Sequence, residues 1–110
     1  MSQMISLLDQ TETAAAVVTA ERFVNAGAPA IAAGRALGVA RSDAAIGALF
    51  PVTVIGTAIV SASAAIAKDA LIEVAANGQA VTRSAGVAVG RALQAAGAAG
   101  DRIEVLLFPN

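Results

Sequence analysis

No cysteine, histidine, tyrosine or tryptophan occurs in this chain of 110 residues. Lys68 is its only lysine, and Phe is its only aromatic residue. Each absence removes a class of chemistry. Without Cys there are no disulfides, no thiol nucleophile and no zinc–thiolate site. Without His, general acid–base work falls to carboxylates and Lys68. Asp101 and Glu104 are close in sequence, as are Lys68 and Asp69, but both sets sit at expected turns or outward strand positions and read as ordinary surface charge. Lys68 stands between Ala67 and Asp69, so no G-x-x-x-x-G-K-[ST] phosphate loop exists, nor does a G-x-G-x-x-G. With seven basic residues against eight acidic ones, the chain has neither a nucleic-acid footprint nor a polybasic run for an anionic membrane. Single-stranded nucleic acid also lacks an aromatic platform to stack on. No catalytic, cofactor-binding or metal residue is expected.

What is abundant is small and apolar. Hydrophobic residues make up 57% of the chain and mean hydropathy is +0.74, largely from Ala and Val. The length suits one domain with one core. At roughly 25 cal/mol per Å² of buried apolar area, alanines contribute little each, so burial at a subunit interface would help such a core. The N-terminal Met-Ser-Gln-Met-Ile lacks the positive region of a signal peptide, and no export is expected.

The run from Ala44 to Ala67 carries no charge and is long enough to cross a membrane as a helix. Pro51, Gly47, Gly56 and the polar Thr53, Thr57, Ser61 and Ser63 argue against that reading. So does the lack of flanking Trp, Tyr or Lys/Arg asymmetry. A strand over Val52–Val60, entered through Pro51 and buried on both faces, fits the β-branched cluster better. The flank Ser61–Ala67 reads as a loop or short helical turn.

Residues 1–13 form an N-terminal arm and residues 14–110 a β domain. In the arm, Met4, Ile5, Leu7 and Leu8 have i, i+1, i+3, i+4 spacing, and Ser2 or Ser6 suits the cap of a short helical turn. The segment is too short to hold a helix alone. Its apolar side chains either pack on their own domain or settle on a partner.

Val17–Thr19 and Arg22–Val24 are short strand candidates, followed by breakers from Asn25 to Pro29. Gly34–Arg41 alternates large and small residues like a strand in a tight sheet. Leu71–Ala75 and Ala80–Thr82 flank Asn77-Gly78, a strong hairpin signal because both residues accept the positive φ of a type I′ turn. Val87–Leu93 is a further strand, Ala95–Gly100 a loop or single helical turn, and Arg102–Leu107 a clearly alternating last strand. Gly34, Gly56 and Gly90 each open a Gly-x-Ala-[Leu/Ile] pattern, read as bends where strands cross closely. The expected fold is mainly β: a small single-domain β-sandwich or barrel with an extended N-terminal arm and at most one short helix.

The order of several pieces resembles the head decoration, or capsid cement, proteins of tailed bacteriophages. They are Glu21–Gly27, Ala33–Ala40, Val52–Ala58, Ala65–Ala70, Ala76–Gly78, Val89–Leu93 and Gly100–Leu106. Lys68-Asp69 departs from the Gly-containing turn common there. The resemblance implies a mostly β virion protein without cofactor, made in the host cytoplasm and seated on the outer surface of the head. Its implied partners are the major capsid protein and copies of itself, commonly as a homotrimer. Some relatives carry a recombinase label of the RecA/RadA type, which the missing phosphate loop contradicts here. Within this reading, Met4, Ile5, Leu7 and Leu8 are the candidate capsid contacts. Other readings are a different phage structural or assembly protein, such as a tail component, a small membrane protein, or a small enzyme or nucleotide-binding protein.

Overall fold

A computed structural model describes residues 4–110 as a single curled antiparallel sheet, a half-barrel. Its strands are β1 (Ser6–Thr13), β2 (Phe23–Asn25), β3 (Ala28–Pro29), β4 (Gly38–Ala40), β5 (Leu49–Ser61), β6 (Leu71–Val74), β7 (Ala80–Thr82), β8 (Gly90–Ala92) and β9 (Arg102–Leu107). The order is β3-β2-β4-β5-β9-β8-β6-β7, with β1 also paired to β5. The first half of β5 pairs with β1 and β4, and the second half pairs with β9.

The uncharged run is therefore the spine of the sheet. Its β-branched residues favour extended backbone, and no helix of the described residues is long and apolar enough to cross a membrane. Burial is mainly one-sided, with Thr53 the one fully buried side chain of the other face, which corrects the two-faced expectation. Phe50, Val52, Ala58 and Val60 are buried inward, whereas Val54, Thr57 and Ile59 are half-buried and Ile55 is 45% exposed.

The strand also starts before Pro51 instead of being entered through it. Pro51 is tolerated because its carbonyl accepts from Arg41 N–H at 3.0 Å. Its missing N–H therefore points the same way, past Ala40, the last paired residue of β4.

At Gly56 the strand bends. With φ at +112° and the Ile5 carbonyl where a Cβ would stand, the position excludes a side chain. The β1–β5 register slips opposite this bend, between Ser6 and Asp9.

Two cores lie under the two halves of β5. The smaller joins Ala14, Val18, Val24, Ala40, Ala44, Phe50 and Val52. The larger sets Phe23, Ile72, Ile103 and several valines among alanines such as Ala58, Ala62 and Ala92. Small residues beside large ones let close strands interdigitate. The flank after β5 is a loop whose Ala62 and Ile66 are buried in that larger core and bridge to Ala80 and Ala96.

The hairpin stands where Asn77-Gly78 places it: β6 and β7 pair from Ile72↔Thr82 to Val74↔Ala80. Asn77 and Gly78 have φ of 64° and 78° within a short 3-10 turn. Asp69 has φ of 70°, the left-handed conformation that a glycine at this turn takes without strain.

Other expectations change. Val17–Thr19 forms only one bridge, Val18 to Ala44, and the Gly34–Arg41 strand shrinks to Gly38–Ala40, all three residues buried. Gly34 sits in a loop turn closed by its N–H on the Ile31 carbonyl, not at a strand crossing. Gly90 does meet such a crossing, since a Cβ there would stand 2.6 Å from the Leu106 carbonyl oxygen.

Candidate functional site

The arm becomes strand β1. Ser6 is in extended backbone and caps no helical turn, while Ser2 lies outside the described residues. The helical spacing loses because pairing with β5 satisfies the inward-turned backbone groups along the segment, which one isolated turn could not do.

The four apolar arm residues separate. Met4 is half-buried against the larger core, whereas Ile5, Leu7 and Leu8 are 56%, 72% and 44% exposed. No residue of Ser6–Thr13 is buried, so both faces of this strand meet solvent. An edge strand with two open faces and large apolar side chains is a candidate surface for another molecule.

Polar contacts fix β1 in place. Arg41 Nη1 donates to Asp9 Oδ2 at 2.6 Å, and Ser6 Oγ donates to Asp9 Oδ1 at 2.6 Å. Burial pushes the Asp9 carboxyl up, but the Ser6 hydroxyl and Arg41 guanidinium outweigh it, leaving the group below its ordinary value. Thr53 adds to that lowering, although its buried hydroxyl makes no hydrogen bond of ordinary geometry. Ile5 is pinned at both backbone groups, its N–H to Thr57 Oγ1 at 2.9 Å and its carbonyl to Thr57 N–H at 2.8 Å.

A second apolar surface lies at the end of the smaller core. Val17, Ile46 and Leu49 are 66%, 70% and 69% exposed. Their loops are bolted together by paired bonds between Val18 and Ala44 and by the Ala14 N–H on the Ala48 carbonyl.

Elsewhere, several charged groups are engaged in the fold. Arg102 binds Glu21 through two nitrogens, Nε at 2.7 Å. Asp101 caps the turn at Gly97 and Ala98. Glu104 accepts from Thr57 Oγ1 at 2.7 Å. A half-open cleft of about 230 Å³ is lined by Met4, Glu21, Val39, Ala40, Arg41 and Ile59. Its only carboxylate and guanidinium are already committed to Arg102 and Asp9. Among the described residues, no three metal-binding side chains converge.

Sequence reasoning missed Glu73. This buried carboxylate of β6 accepts from Ser84 N–H and Oγ and from Gly86 N–H. The Ser84 N–H is the chief reason its carboxyl lies below its ordinary value. It ties the 84–86 loop to the sheet, and that loop in turn packs on Ala33. Its place in the apolar stretch Leu71–Val74 was the only available signal.

Fold and surface define a small all-β structural domain that presents apolar strand edges and loops. A family described as phage cement protein matches residues 2–107, and the chain belongs to it: this is a structural protein of the phage capsid. The fold is also similar to that in a crystal structure of the head fiber gp8.5 N base of bacteriophage phi29. The two share 20% sequence identity with a TM-score of 0.76, over 92% of this chain and 93% of that one. No curated protein matches the chain significantly.

Proposed function

We propose that this protein is a capsid cement that binds the outer surface of the major capsid protein shell as a homotrimer and strengthens the head against internal pressure. The observation that carries the reading is membership of the cement family over nearly the whole chain. The exposed Ile5, Leu7 and Leu8 on a strand with two open faces support it. So does an alanine-rich core, which gains from further burial between subunits. A protein that binds only the assembled shell stabilises it by mass action, and many copies multiply a modest contact. Chemistry is not required for that role. The protein is made in the host cytoplasm and ends on the outside of the head.

The test is the composition of purified heads and of shells decorated in vitro. The expected result is a copy number that scales with the major capsid protein and oligomers of three in cross-linked samples. Recovery with tails and not with heads would overturn the reading in favour of a tail component. Leu7→Asp should lower shell occupancy while leaving the melting temperature within about 2 °C, because this side chain is not part of the core.

A further inference from the structure

We propose that β1 attaches to the shell by strand addition: its outer edge pairs with an extended, basic segment of the capsid protein. The inference rests on the capsid reading above and assigns it a specific set of backbone groups.

Pro51 of β5 is the register partner of Thr11. It has no N–H, and its carbonyl is used by Arg41 on the opposite side. Thr11 therefore has no backbone partner in β5, and its N–H and C=O turn outward. By the alternation of an antiparallel ladder, Gln10 and Glu12 turn toward Val52 and Phe50, while Asp9 and Thr13 share the outward direction of Thr11. Gly27 packs against the Thr13 carbonyl and closes that end. From Leu8 to Glu12 the outer edge is open, and among the described residues β1 has no other strand partner. An unpaired edge of this kind offers main-chain hydrogen bonds for affinity and alternate side chains for specificity.

Charge identifies the occupant. Ser6–Thr13 carries Asp9 and Glu12 and no basic residue. Asp9 is neutralised by Arg41, but Glu12 has no ion-pair partner among the described residues. A second copy of β1 would bring another unpaired Glu12 and no cation. A capsid segment with Lys or Arg opposite Glu12, and apolar side chains over Leu7 and Leu8, supplies both missing complements.

The experiment is binding of the full-length protein to purified empty shells, with thermal melting of the free protein as control. Thr11→Pro removes the outward donor without touching a β1–β5 bond. It should raise the concentration for half-occupancy by about tenfold or more, with an unchanged melt. Thr11→Ala should bind like wild type. Glu12→Lys should weaken binding, the loss growing at low salt. Wild-type affinity in Thr11→Pro, with wild type binding normally, would overturn strand addition and leave the cement reading intact. Failure of wild type to bind shells would overturn the cement reading, and this inference with it. If Thr11→Pro instead dissolves a homo-oligomer, the edge belongs to a second copy and the assignment to the capsid is wrong.

Discussion

β9 and β1 both run antiparallel to β5, yet they are held there by different forces. β9 buries Ile103, Val105 and Leu107 on alternate positions and turns Arg102 and Leu106 outward. β1 buries nothing between Ser6 and Thr13; its hold comes from ladder bonds, the Ile5–Thr57 clasp and the Asp9–Arg41 pair. One strand is part of the core, and the other is fastened to the core's outer edge. Hydrophobic burial is the dominant favourable contribution to folding. β1 forgoes it and leaves Leu7 and Leu8 in solvent, the surface that the proposed attachment uses.

Substitutions can break this contrast. The largest effect belongs to β9: Ile103→Ala should cost about 2–4 kcal/mol in denaturant unfolding, because it opens a cavity in the larger core. Gly56→Ala comes next, since it forces a Cβ onto the Ile5 carbonyl at positive φ. It should release the Ile5 end of β1 before the rest of the sheet, seen as early amide exchange in residues 5–8.

Two carboxylates sharpen the contrast further. Both have folded-state values below ordinary. Their stabilisation is therefore present above the unfolded-state value and fades as pH falls through the folded one. Glu73→Gln should lower the melting temperature at neutral pH, and its difference from wild type should shrink below about pH 4. High salt should not erase that difference, because backbone N–H groups hold the carboxylate. Asp9→Asn is the smallest: below about 1 kcal/mol, and largely gone in about 1 M salt, as for an exposed ion pair. An Asp9 effect equal to that of Ile103 would mean that β1 is a core strand after all.

The parts of the fold that show in the sequence are those where burial imposes a period or a turn imposes a residue type. Ile103, Val105 and Leu107 alternate because one face of β9 is covered, and Asn77-Gly78 marks a turn that needs positive φ. β1 escaped because neither face is covered, so no period of two is written into it. Met4, Ile5, Leu7 and Leu8 then suit a helical turn equally well. The Gly34–Arg41 alternation overshot: only Gly38–Ala40 find a partner strand, and Arg35 stays in the loop before them. The candidate surface was legible as apolar residues near the N-terminus. Its division was not, because it depends on how the segment lies along β5, with Met4 against the larger core and Leu7 outside. Asp9 and Arg41 are 32 residues apart and carry no local sign of meeting.

Amide exchange at Thr11, measured in the free protein and on shells, tests strand addition at the outer edge of β1 most directly. Fast exchange is expected in the free protein, where this N–H faces solvent, and strong protection once shells are bound. Protection of Thr11 in the free monomer, or unchanged fast exchange on decorated shells, would contradict it.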